Sequence, residues 1–92
     1  MRIKVLAFAG FREALGKERE LDVRDGATVG EALQALAESL PRFKEEAFEQ
    51  SGAIRDYVLL MVNRKRIDPL QDLSRRLQDG DELAVFPPVA GG

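Results

Sequence analysis

The chain has 92 residues, of which 45% are hydrophobic and 33% charged, and its 14 Lys and Arg against 16 Asp and Glu give a net charge of −2. The length predicts one small domain over residues 1–92, and the charge balance argues against a direct nucleic-acid partner. The absence of a long apolar run or leader pattern predicts no membrane partner and favours a cytoplasmic location. Because His and Cys are both absent, neither a metal site nor a self-contained active site is expected.

The first two elements are predicted to be strands that pair as a hairpin. After Arg2, residues 3–9 are apolar except for Lys4, which indicates that residues 2–9 form a strand largely buried on both faces. Residues 14–17 are expected to form a turn. Apolar and acidic residues alternate in residues 19–23, a pattern typical of a half-buried strand that returns along the first.

The clearest predicted element is a helix from Thr28 to Leu40. Thr28 and Glu31 form a capping-box pattern, in which the hydroxyl and the carboxylate satisfy free amides of the first turn. Pro41 disfavours helical geometry at Leu40, so the helix should end there. Its core-facing residues share one helical face, and they are Val29, Ala32, Leu33, Leu36, Ala37 and Leu40. A short second helical stretch is expected to contain Phe43, Ala47 and Phe48.

Residues 57–63 are rich in residues that favour β-structure, and they are predicted to form a strand. Residues 63–65 should form a turn, and residues 66–67 a brief return strand.

The end of the body is predicted to hold one more strand. Leu70, Leu73 and Leu77 indicate an irregular or short helical segment that packs on the core. A turn at residues 79–81 then leads into a strand over residues 82–86.

The order of these elements predicts the fold class, an α+β roll. The predicted order is two strands, a helix, two more strands of which one is brief, and a final strand. The strands would form a mixed sheet that packs on the one main helix. The first and last strands can lie together at its centre if a right-handed crossover passes through the helix. This layout is that of the β-grasp, or ubiquitin-like, fold, with a body of residues 1–86.

Residues 87–92 are predicted to form an extended tail, and they are the most informative segment. Two prolines favour an extended exit from the body, and two final glycines leave a tip without side chains. The tail is expected to be flexible when free, because it has no large side chains to bury. A carboxylate is a poor electrophile until it is activated, so this tail suits presentation of Gly92 to another enzyme. A frayed terminus without a role is the alternative.

Several segments match one known family: residues 3–9, 12–13, 16, 26–29, 62–63, 77–82 and 86–92. On these residues the chain resembles the MoaD/ThiS family of ubiquitin-like sulfur carriers, and its MoaD members most. The resemblance covers nearly the whole chain, and its specific part is the block 86–92. One departure is the stretch 43–56, which is longer than in the shortest members.

The resemblance implies a chemistry for the tail. A MoeB-like, E1-like partner would adenylate the Gly92 carboxylate with ATP. A cysteine desulfurase or rhodanese-like protein would supply persulfide sulfur, which displaces AMP and leaves a C-terminal thiocarboxylate. No cofactor is bound permanently; the carried sulfur is this thiocarboxylate. The chain would be the sulfur-donating small subunit of molybdopterin synthase, a heterotetramer with a MoaE-like large subunit, in molybdenum cofactor biosynthesis.

The resemblance also implies partner-binding positions. Phe8, Arg12 and Phe86 match family positions near the face that meets the activating enzyme. Core packing is the alternative role for the two phenylalanines, and a solvated surface position is the alternative for Arg12. The tail that enters the partner's tunnel ahead of the reactive Gly91 and Gly92 consists of Pro87, Pro88, Val89 and Ala90.

Other functions stay open at this point. The same carrier chemistry serves tRNA thiolation or thiamine thiazole synthesis. A ubiquitin-like modifier would instead be joined through Gly92 to lysines of target proteins. A plain interaction module with an idle tail is the fourth reading, and the terminal Gly-Gly disfavours it.

Overall fold

The computed structural model describes residues 1–87, which form one five-stranded mixed sheet covered on one face by helices. The strands are β1 (Arg2–Ala7), β2 (Glu18–Asp22), β3 (Leu59–Val62), β4 (Lys65–Ile67) and β5 (Glu82–Phe86). The helices are α1 (Phe11–Leu15), α2 (Val29–Ser39) and α3 (Pro41–Ala47). The strand order is β2-β1-β5-β3-β4, with β1 and β5 parallel and the other pairs antiparallel. The predicted α+β fold, with the first and last strands side by side, is confirmed.

Strand β1 shows that only one face of the sheet is buried. Ile3, Val5 and Ala7 are each 1% exposed, whereas Lys4 on the other face is exposed. The prediction that both faces of β1 are buried is therefore wrong, because no helix covers the second face. The predicted hairpin with β2 is confirmed, and Ile3 is paired with Leu21 in its register.

Helix α2 is capped and packed as its sequence predicts. The Thr28 hydroxyl accepts a hydrogen bond from the Glu31 amide (3.1 Å), which satisfies one free donor of the first turn. The predicted face is buried at Val29, Ala32, Leu33, Leu36 and Ala37. Leu40 is the C-cap and packs, partly buried, at the edge of the core.

Helix α1 corrects the predicted turn at residues 14–17. Phe11 and Leu15 are four residues apart and each is 1% exposed, so together they fill one end of the core. Only at Gly16, where φ is 79°, does the chain turn towards β2. A five-residue helix is too short to show a helical period. The second helical stretch is confirmed as α3, with Phe43 in edge-to-face contact with Phe11.

The segment after β4 is irregular, and it packs on the core at two of its three leucines. Leu77 is 2% exposed and Leu73 lies against the core, but Leu70 is 72% exposed. The prediction that Leu70 packs on the core is therefore wrong. None of the helices in residues 1–87 is long and apolar enough to cross a membrane.

Candidate functional site

The sheet face that carries no helix presents an apolar surface, here called the open-face patch. Strand pairing places Leu6 and Met61 on either side of Ala84, and Leu59 opposite Phe86. Since alternate residues of a strand share one face, these side chains all point away from the helices. The patch consists of half-buried side chains around the buried Ala84, and its members are Leu6, Phe8, Leu59, Met61, Ala84 and Phe86.

Two of the predicted site residues stack on each other within this patch. The rings of Phe8 and Phe86 are nearly parallel, with centroids 4.2 Å apart and an interplanar angle of 7°. The Phe8 amide donates to the Val85 carbonyl (3.2 Å) and so continues the β1–β5 ladder beyond Ala7. Both residues are half-buried, and neither belongs to the core cluster beneath the helices. They are available at the surface, next to the end of β5.

Arg12 extends this stack to a third residue. It lies exposed in the first turn of α1, and its Nε donates to the Ala7 carbonyl (3.0 Å). Its guanidinium carbon is 5.4 Å from the centre of the Phe8 ring, the geometry of a cation–π contact. Arg12 is thus a surface arginine, but one held in a fixed place. We call Arg12, Phe8 and Phe86 the aromatic column.

The corner between β1 and α1 has an unusual backbone conformation. Ala9 has a φ of 50°, in the left-handed region that residues with a Cβ seldom adopt. The amides of Phe11 and Arg12 donate to the carbonyls of Phe8 and Ala9, at 3.2 and 3.1 Å. This tight corner turns the chain back at once, which brings Arg12 over Phe8.

Exposed ion pairs lie on two sides of the patch. Arg2 lies 3.0 Å from Asp22 and 3.2 Å from Glu20, and the hydrogen bond that Arg2 Nε donates to Asp22 raises the pKa of Arg2. On the other side Arg64 lies 3.7 Å from Glu82. Exposed pairs of this kind contribute little to stability. They place charges at the rim of the apolar patch, where charges generally affect the specificity and rate of association more than the affinity.

The structure brings four predicted site residues to one end of the sheet. Pro87 continues directly from Phe86, so the aromatic column stands at the root of the tail. The other predicted tail residues lie outside the described residues, and they are Pro88, Val89, Ala90, Gly91 and Gly92.

Sequence reasoning missed Leu6, Leu59 and Met61 as members of the site. Met61 alternates with the buried Leu60 and Val62, which was a signal that it faces away from the helices. Which residues lie beside Met61 depends on the pairing of β3 with β5 and on its register, and no local pattern gives that register.

The described residues of the open-face patch have the features of a protein interaction surface. A half-exposed apolar surface rimmed by polar residues is typical of protein interaction surfaces. No group of three or more His, Cys, Asp or Glu within residues 1–87 is placed to hold a metal ion.

Comparison with known proteins finds one matching family and several similar proteins. The ThiS family model matches residues 5–92. The chain is 36% identical over 93 residues to small archaeal modifier protein 3 of Haloferax volcanii, with 100% of both chains covered. It is 38% identical over 92 residues to the molybdopterin synthase sulfur carrier subunit of Aedes aegypti, covering 100% of this chain and 90% of the relative. The crystal structure of SAMP1 from Haloferax volcanii has a TM-score of 0.89 at 33% identity, with 100% of both chains covered.

Proposed function

The chain belongs to the ThiS family, and on that premise we propose that it carries sulfur as a thiocarboxylate on Gly92. The observation that carries the proposal is the aromatic column, which includes two residues of the open-face patch and stands at the root of a tail that ends in Gly-Gly. A protein-docking surface at the start of such a tail would serve to present its last residue to the docked enzyme.

The chemistry follows from the weakness of a carboxylate as an electrophile. An oxygen of Gly92 attacks the α-phosphorus of ATP in an E1-like, MoeB-like partner, and pyrophosphate leaves. A persulfide sulfur from a cysteine desulfurase or rhodanese-like donor then attacks the carbonyl carbon, and AMP leaves. A thiol cleaves the resulting sulfur–sulfur bond by exchange, which frees the thiocarboxylate and leaves a disulfide.

The body's role is to place the tail. Phe86 is held by its stack on Phe8, and Phe8 is held by the β5 backbone and by Arg12. An enzyme that docks on the open-face patch therefore receives Pro87 at a fixed position. Only five residues follow Pro87, and the last of them, Gly92, carries the reactive carbon. A short tether of this kind gives a high effective concentration of the carboxylate at the activating site.

We further propose delivery of the sulfur to molybdopterin synthesis, with this chain as small subunit beside a MoaE-like large subunit. Relatives named molybdopterin synthase sulfur carrier subunits, 30–38% identical to the chain and aligned with 100% of it, support this destination.

A second candidate is protein modification through the same activated Gly92. Its support is the 36% identity to small archaeal modifier proteins 1 and 3. Both functions share the adenylation step and differ in the acceptor, which is a sulfur atom in one and a lysine amine in the other.

The carrier chemistry is tested by the intact-protein mass after incubation with a MoeB-like enzyme, ATP and a persulfide donor. The wild-type chain should exchange one terminal oxygen for sulfur. Deletion of Gly92 should abolish the exchange, because it withdraws the carboxylate by roughly 3.3 Å. A chain lengthened by one glycine is the matched control and should fail equally. Exchange in either variant at the wild-type rate would refute the proposal.

The destination is tested with the loaded protein. Mixed with a MoaE-like subunit and the pterin precursor, it should lose its sulfur and yield dithiolene product. If the sulfur stays on the carrier there, but lysine conjugates form in a cell extract with ATP, the modifier function is the correct one. Loss of sulfur only to a tRNA thiolase or thiazole synthase would assign the chain to those pathways.

A further inference from the structure

A second apolar surface lies on the outer side of α2, across the helix layer from the tail root. It is a groove of about 720 Å³ between α2 and the two segments 48–54 and 69–73. Leu33, Ile54 and Leu73 form part of its floor, and Leu70 stands at its edge with 72% of its surface exposed. We call it the Leu70 groove. Its volume lies in the range of known ligand pockets, and a ligand of that volume is as large as several side chains.

Hydrogen bonds within residues 68–72 determine the course of the chain at the edge of the groove, where Leu70 is exposed. An Asp68 carboxylate oxygen accepts from the Leu70 amide (2.7 Å), and an Asp72 carboxylate oxygen accepts from the Asp68 amide (2.8 Å). The Asp72 amide in turn donates to the Asp68 carbonyl (2.9 Å). These three bonds close a turn that holds Leu70 outward.

The same segment is fixed to the first turn of α2. The amides of Val29 and Gly30 donate to the carbonyls of Arg75 and Leu73, each at 2.9 Å. A Cβ at Gly30 would lie 3.2 Å from the Leu73 carbonyl oxygen, so glycine allows this close approach. Across the groove, Gln34 donates to the Gly52 carbonyl (3.4 Å). Both walls are therefore formed before any partner arrives.

The charged residues that line the groove are Glu31 and Glu38, and its lining contains no Lys or Arg. Glu31 is paired with Arg24, which lies outside the lining, whereas no ion pair joins Glu38 to another residue in the described part of the chain. The adjoining hollow on the other side of Leu70 adds Asp56, Asp68 and Asp72 against a single arginine. An acidic rim around an apolar floor disfavours nucleic acid and anionic membranes, and it complements a basic partner.

We propose that the Leu70 groove binds a basic amphipathic helix of a partner protein. The apolar side of that helix would fill the groove and cover Leu70, and its Lys or Arg side chains would meet the acidic rim. A strand is disfavoured as the occupant because no strand lines the groove within residues 1–87, which leaves no free ladder to extend. A helix laid in an apolar groove needs only the side-chain surface that is present.

This inference does not rest on the sulfur-carrier function. The helices separate the groove from the open-face patch, so both surfaces are accessible at once. A partner in the groove would hold the protein while another enzyme works on its tail.

The test uses the full chain, immobilised, and a phage-displayed library of random peptides of about fifteen residues, or four helical turns. Selected peptides should combine Leu, Ile or Phe at helical spacing with Lys or Arg. Their affinity should fall about tenfold or more in Leu70→Asp and in Glu38→Lys, and it should fall with rising salt. Tyr57→Asp is the matched control, because Tyr57 is also exposed (49%) and does not line the groove.

Three results would overturn the proposal. One is the selection of acidic peptides. Another is peptides that lose affinity in Met61→Asp on the open face but not in Leu70→Asp. The third is a wild-type dimer, seen by sedimentation, that Leu70→Asp dissociates, since a second copy would then fill the groove. Equal unfolding curves for all variants would show that the losses are not caused by misfolding.

Discussion

Leu36 and Leu60, on the helix-covered side of the sheet, are fully buried, whereas Phe8 and Phe86 on the open side are half-exposed although they stack on each other. The covered side holds the core cluster, and none of the buried residues in the described chain is polar or charged. Folding free energy therefore comes mainly from one side of the sheet. The other side keeps large apolar side chains at the surface, where they are available to a partner.

This difference means that stability and carrier activity should respond to different residues. Substitutions under the helices should change the free energy of unfolding. Substitutions in the aromatic column should change recognition by the activating enzyme more than they change the fold.

The largest effect on stability is expected for Leu36→Ala, which should cost about 2–5 kcal/mol because it leaves a cavity under α2. Leu70→Ala is the matched control, since the same side chain is removed from a position that is 72% exposed. Its cost should be within about 0.5 kcal/mol. Urea unfolding of both variants measures the contrast. Equal costs would mean that α2 does not pack as described.

Phe86→Ala should have a smaller effect on stability and a larger one on recognition. It removes the stack on Phe8, worth about 0.5–1.5 kcal/mol beyond the area buried. The affinity for a MoeB-like enzyme, measured by titration calorimetry, should fall about tenfold or more, as for a buried aromatic anchor. Phe86→Tyr keeps the ring and should bind nearly normally. Unchanged affinity in Phe86→Ala would remove the aromatic column from the docking surface.

The smallest effect is expected from an ion pair at the start of α2. The Arg24 guanidinium donates to both carboxylate oxygens of Glu31, at 2.5 and 2.6 Å, and this hydrogen bonding lowers the pKa of Glu31 below its ordinary value of 4.5. A depressed carboxyl pKa contributes stability that is present above 4.5 and is lost as the pH falls through the lower, folded-state value.

Glu31→Gln should therefore show a weaker loss of stability on acidification below pH 4.5 than the wild type. Glu38→Gln on the same helix is the control, because no ion pair joins Glu38 to another residue in the described part of the chain. Thermal unfolding over a pH series provides the measurement. Parallel acid profiles for wild type and Glu31→Gln would contradict the assignment.

The parts of the fold that sequence reasoning predicted are those with local signals. Helix α2 has both a cap at Thr28 and a full helical period, and the strands have alternation or dense β-formers. Helix α1 was missed because five residues carry no period, and its two buried side chains resemble any apolar pair. Leu70 was misplaced because two aspartate side chains, rather than hydrophobic packing, set the course of its loop.

The residues of the candidate site also fall into those that could be predicted from the sequence and those that could not. Phe8, Arg12 and Phe86 came from family resemblance, and only the pairing of β1 with β5 shows that they touch. Leu6, Leu59 and Met61 needed the strand register, which is a long-range property of the chain. The chemistry of Gly91 and Gly92 came from the same resemblance and stays a prediction, because both residues lie outside the described part of the chain.

The most direct test of the division between a stable body and a reactive tail is the intact-protein mass of Gly91→Leu after incubation with a MoeB-like enzyme, ATP and a persulfide donor. The substitution leaves every residue of the described core unchanged, so its urea unfolding should match that of the wild type. A leucine side chain would clash with a tunnel that fits bare backbone, so the variant should keep both terminal oxygens while the wild type gains one sulfur. Sulfur loading of Gly91→Leu at the wild-type rate, or sulfur found on an internal residue, would contradict the account.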